Sequence, residues 1–69
     1  MDINIKGQFM TIGQLLKKMK YIQSGGGAKL YLTTHDIKIN GKKPEGRNSK
    51  IKDGDVIWIN DDLYKILSE

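Results

Sequence analysis

The 69-residue chain contains no cysteine, so neither a disulfide framework nor a thiolate metal site can brace it. That absence fits a reducing compartment. No apolar run approaches the roughly 20 residues needed to cross a bilayer. The start, Met1-Asp2-Ile3-Asn4-Ile5-Lys6, lacks the charged, apolar and small-residue segments of a secretion signal. A cytoplasmic protein without membrane association is therefore expected. Histidine occurs once, as His35, which leaves no material for a nucleophile–base–orienter set. Its place at the end of a predicted helix suits capping better than acid–base work. Asp53 with Asp55, and Asp61 with Asp62, are acid pairs inside Gly- or Asn-containing turns, which turn chemistry explains. A metal would need more ligands at loop spacing than Asp53-Gly54-Asp55 provides. No enzyme, metal or cofactor is expected. Proline also occurs once, as Pro44, and no linker or repeat divides the chain, so residues 1–69 read as one small domain.

What the sequence does have is segregated charge. From Lys17 to Lys52 there are ten basic residues against Asp36 and Glu45, a net of +8. From Asp53 onward five acids face only Lys65, a net of −4, and Asp2 offsets Lys6 in the first sixteen residues. A positive end of this kind attracts polyanions.

Ile3 and Ile5 alternate with polar residues and predict a short strand. Thr11 is a candidate helix N-cap, followed at helical spacing by Ile12, Leu15, Leu16 and Met19, with Gln14, Lys17 and Lys18 on the opposite side. Lys20 to Gln23 read as a tight connection. Ser24 is the next candidate N-cap, for a helix running through Ala28, Leu30, Tyr31 and Leu32 to about Thr34. Gly25, Gly26 and Gly27 in its first turn each cost roughly 1 kcal/mol of helix propensity relative to alanine. Two readings offset that cost: the glycines let the first helix approach closely, or their bare N–H groups bind an anion beside Lys29. The stretch Ser24 to Lys29 lacks the Gly-Lys-Ser/Thr ending of a phosphate loop. Beyond it, Ile37 to Ile39 form a strand ending in an Asn40-Gly41 turn, and Lys42 to Ser49 an extended loop. Lys50 to Lys52, Val56 to Ile59 and Leu63 to Leu67 are further strands. Tyr21, Tyr31, Trp58 and Tyr64 are expected in the core, with base stacking the lesser reading. The order predicts an α+β domain with a small antiparallel sheet.

The run from Thr11 to Ile57 resembles the S-four RNA-binding domain. The counterparts of that family's pattern are Ile12-Gly13-Gln14-Leu15-Leu16, Ser24 with Ala28-Lys29, Ile37-Lys38-Ile39-Asn40-Gly41, Lys50-Ile51 and Gly54-Asp55-Val56-Ile57. Each piece alone is weak, but the ordered series is specific. Thr11 to Leu15 and Gln23 to Lys29 are most similar to the short, stand-alone, bacterial YaaA-like members. The resemblance implies a two-helix motif of alpha-L type, with a motif core of about 11–59, packed on the sheet. It also implies non-catalytic binding of structured RNA: ribosomal RNA or an assembling ribosomal particle first, transfer RNA second, with the protein acting as a monomer. Many relatives carry arginines where this chain has Thr11 and Gly25. The glycine backbone and the lysine-rich stretch from Lys42 to Lys52 are expected to take over those phosphate contacts.

The expected RNA-binding set is Lys17, Lys18, Lys20, Ser24, Gly25, Gly26, Lys29, Lys38, Lys42, Lys43, Arg47 and Lys50, arranged about a concave face. Phosphate contacts of this type position a protein without reading sequence. The alternative is a protein-interaction module resembling β-grasp domains, which share the Asp-Gly-Asp-Val-Ile turn and strand, docking through the acidic C-terminal half. Its sulfur-carrier version is not expected, since the sequence ends Leu67-Ser68-Glu69 rather than Gly-Gly.

Overall fold

Alternation with period two puts every second residue of a strand inside, and here the inside residues are nearly all isoleucine. In the computed structural model, which describes residues 1–24 and 26–69, eight elements follow one another. They are β1 (Asp2–Ile5), β2 (Phe9–Thr11), α1 (Ile12–Lys18), α2 (Gly26–Thr34), β3 (Ile37–Ile39), β4 (Lys50–Lys52), β5 (Val56–Ile59) and β6 (Asp62–Ser68). The fold is α+β, as expected. β1, β6, β5 and β3 form a four-stranded sheet in that order, and β2 pairs with β4 in a separate antiparallel ribbon. The larger sheet is mixed: β1 runs parallel to β6, with Asp2 opposite Lys65 and Ile5 opposite Ser68, whereas the other pairs are antiparallel.

The helices cover one face of the sheet. Ile3, Ile5, Ile57, Ile59, Tyr64 and Ile66 from the strands meet Ile12, Leu15, Leu16 and Leu32 from the helices. Full burial of each such side chain contributes about 1.5–3 kcal/mol. Ile51 closes the core from the ribbon. Trp58 departs from expectation. It is 39% exposed on the outer face of the sheet, because the alternation that buries Ile57 and Ile59 turns the residue between them outward. Tyr64 is buried, and Tyr21 and Tyr31 pack half-buried against the core.

Two turns set the register. Asn40 and Gly41 both have positive φ and close the turn after β3, with Ile39 and Lys42 exchanging backbone hydrogen bonds across it. The Asn40 side chain then donates to Asp55 and accepts from the Val56 N–H. Asp55, 8% exposed, also accepts from the Lys52 N–H. Asp53, in the turn before β5, accepts from the N–H of Ser68 at the end of β6 and so ties the two together. His35 follows α2 and stacks on Tyr31 at 3.9 Å between ring centroids.

Candidate nucleic-acid interface

Helix α1 starts with a capping box. The Gln14 N–H donates to Thr11 Oγ1, and the Thr11 N–H donates to Gln14 Oε1. The two preceding helical N–H groups, of Ile12 and Gly13, donate to the backbone carbonyls of Ser49 and Arg47 at 2.8 and 2.9 Å. The loop before β4 therefore lies directly on the helix start and occupies the N–H groups an anion would otherwise use. Glycine suits that approach, because any side chain at this position crowds the loop backbone. A Cβ at position 13 would stand 3.0 Å from the Arg47 carbonyl oxygen and 3.5 Å from the Cβ of Ala28. Helices α1 and α2 come close through Gly13 and Ala28, whereas a Cβ at Gly26 or Gly27 would meet only ordinary contacts. The loop is internally held by Ser49, whose hydroxyl accepts from the N–H groups of Glu45 and Gly46.

Pinned in this way, the segment Arg47-Asn48 forms a ridge with a recess on either side. The larger recess, an open groove of about 620 Å³, lies between α2 and the loop and is lined by Lys29, Thr33, Lys43 and Arg47 among others. The smaller, about 290 Å³, lies against the start of α1 and is lined by Thr11, Gln14, Lys17, Arg47 and Asn48. Lys17, Lys29, Lys43 and Arg47 are thereby drawn from three segments of the chain to the two sides of one ridge. Glu45 is the acid among them.

The other expected residues lie elsewhere. Lys18 turns away and donates from Nζ to the Asn4 carbonyl at 2.8 Å. Lys20 follows α1 in a left-handed conformation, φ 65°. Lys38 stands on β3 directly opposite Trp58. Lys42 completes the Asn40-Gly41 turn. Lys50 lies on the ribbon. Ser24 is exposed before α2, and its carbonyl accepts from the Gly27 N–H. Helix α2 begins at Gly26, and Gly25, also expected in the set, lies outside the described residues. Gly26 is exposed at the helix start.

Sequence reasoning did not single out Gly13 as the point where loop and helices converge. Its signal was a glycine two residues after a cap, inside a pattern otherwise free of helix breakers. It also passed over Phe9, which stands opposite Lys52 on the ribbon.

Among the described residues no cluster of three metal-ligating side chains occurs. Among the described residues no helix is long and apolar enough to cross a membrane.

Comparison with known proteins matches residues 3–67 to a family described as the S4 domain. The chain is similar to a probable ribosome maturation protein, RlbA, of Bacillus subtilis strain 168. The two are 40% identical over 57 residues, covering 83% of this chain and 80% of the relative. No solved structure matches.

Proposed function

The chain belongs to the S4 domain family, and from that premise we propose that it binds structured ribosomal RNA, without chemistry of its own, while a ribosomal particle is being assembled. The observation that carries the reading is the ridge at Arg47-Asn48, flanked by Lys17 on one side and by Lys29 and Lys43 on the other. Lysine ammonium groups pair with phosphates as point charges, and the Arg47 guanidinium adds a planar fork suited to phosphate oxygens. A rigid ridge with cations on both flanks fits a bent or grooved backbone better than a flat one. Recognition by RNA shape follows from that. The relative's name, ribosome maturation protein, supports the assembling particle as the setting. Of the acids that an interaction module would present, Asp53 and Asp55 are engaged within turns, which favours the basic end as the working surface.

The test compares the wild type with a triple variant, Lys17→Glu, Lys29→Glu and Lys43→Glu, on ribosomal RNA fragments and on duplex DNA of matched length. All three residues are exposed, so the variant is expected to melt like the wild type. The expected result is tighter binding to RNA than to DNA, and loss of RNA binding in the folded variant. Equal RNA binding by both proteins would overturn the reading.

A further inference from the structure

The ribbon of β2 and β4 turns Met10 and Ile51 inward and Phe9, Lys50 and Lys52 outward. Phe9 is 49% exposed and is not part of the core cluster. Lys50 Nζ lies 4.6 Å from the centre of its ring, and Lys52 is its register partner on the neighbouring strand. An open recess of about 480 Å³ adjoins these three residues, with Gln8 and Ile39 on its sides. Asn40 and Asp55 also line it, but their side chains are spent on each other and on backbone N–H groups.

We propose that this recess is a stacking site for one unpaired RNA base, with Phe9 as the platform and Lys50 and Lys52 holding the adjoining phosphates. The proposal rests on the RNA-binding reading above and adds a second contact of different chemistry. An aromatic ring with one cation over one of its faces and a second on the neighbouring strand suits single-stranded nucleic acid, because every base has a π-face and every linkage a phosphate. A protein partner fits less well, since the centre of a protein interface is depleted of charged residues. The recess also continues the ridge: Lys50 is the next residue after Ser49, which lines the groove. A strand leaving the structured segment at the ridge therefore meets the ribbon next. With Asn40 and Asp55 engaged, Gln8 is the amide side chain that remains on the recess, so stacking on Phe9 carries more of this contact than base-edge hydrogen bonding does.

The experiment uses hairpin RNAs that are blunt or carry a short unpaired extension at either end, with 2-aminopurine at the first unpaired position. The wild type, Phe9→Leu, Phe9→Tyr and the triple lysine variant are titrated against each. The expected result is roughly 5- to 150-fold tighter binding of one extended hairpin than of the blunt one, with quenched 2-aminopurine emission. Phe9→Leu abolishes that preference and the quenching while keeping the blunt-hairpin affinity. Phe9→Tyr retains both, and the triple lysine variant weakens every complex. Phe9 is half-exposed outside the core, and unchanged melting of Phe9→Leu checks that the fold is intact. Equal binding of blunt and extended hairpins, or an equal loss on both with Phe9→Leu, overturns the stacking site alone. Failure of the wild type to bind any of the RNAs overturns both readings.

Discussion

At the scale of single residues, the clearest physical event is the hydroxyl pair Tyr21–Tyr64, 2.8 Å apart at the edge of the core. The hydrogen bond to Tyr64, together with burial and the nearby Asp62, pushes the Tyr21 hydroxyl up from 10.0 to about 12. A group whose acidity is weakened by folding stabilises the fold fully below its unfolded value and loses that contribution as pH rises through the folded one. The melting temperature of the wild type should therefore fall between about pH 10 and pH 12, and less so in Tyr21→Phe. A pH series of thermal melts checks this, and identical slopes in the two proteins would exclude the assignment. Tyr21 was the aromatic whose place was least evident from the sequence, because it sits in a connection with no periodicity of its own. Trp58 shows the opposite case. A tryptophan in the most apolar strand reads as core, yet strict alternation decides its direction, and bulk does not. Asn40-Gly41 was legible as a turn from its residue types. The reach of the Asn40 side chain to Asp55 and Val56 was not, because it depends on how two distant segments meet.

At the scale of elements, the candidate site is a contact between a helix start and a loop. Helix α1 was legible from its cap and its apolar spacing, β1, β3 and β4 from alternation, β5 from its apolar run and β6 from the turn before it. β2 was not, since Phe9 and Met10 are adjacent apolar residues and show no alternation. The seam between α1 and the loop depends on Gly13, and its replacement by alanine sets two effects against each other. Alanine improves helix propensity by up to about 1 kcal/mol. The added methyl, 3.0 Å from the Arg47 carbonyl oxygen, forces the loop backbone outward, and overpacking of that kind costs typically 1–3 kcal/mol. The second effect should prevail: Gly13→Ala is expected to lose up to about 2 kcal/mol of stability in chemical denaturation, by the difference of these two terms. RNA affinity should fall with it, because the loop that moves carries Arg47. An alanine variant as stable as the wild type, with unchanged affinity, would show that the loop yields freely.

At the scale of the whole molecule, charge segregation was visible in the composition, and folding sharpens part of it into a site. The net of +8 over residues 17 to 52 contracts to Lys17, Lys29, Lys43 and Arg47 about one ridge, while Lys18, Lys20 and Lys38 lie elsewhere. Sequence position alone does not separate these two groups, because all seven are exposed polar positions in a basic stretch. With about 4 to 6 phosphates neutralised, a plot of log affinity against log salt should have a slope of roughly −3 to −5. A slope near zero would point to a surface that does not rely on charge. The parallel pairing of β1 with β6 left no mark in the sequence, because it joins Asp2 to Lys65 and so has no local pattern. That pairing also has a consequence in time. The β5–β6 hairpin and the helices form from neighbours along the chain, but β1 finds its place only by closing a loop that spans most of it. Refolding should thus be slow for so short a chain, and the last event is the docking of Ile3 and Ile5 beneath a nearly finished sheet. Until that seam closes, the side of the core that Ile3 and Ile5 complete stays open to water.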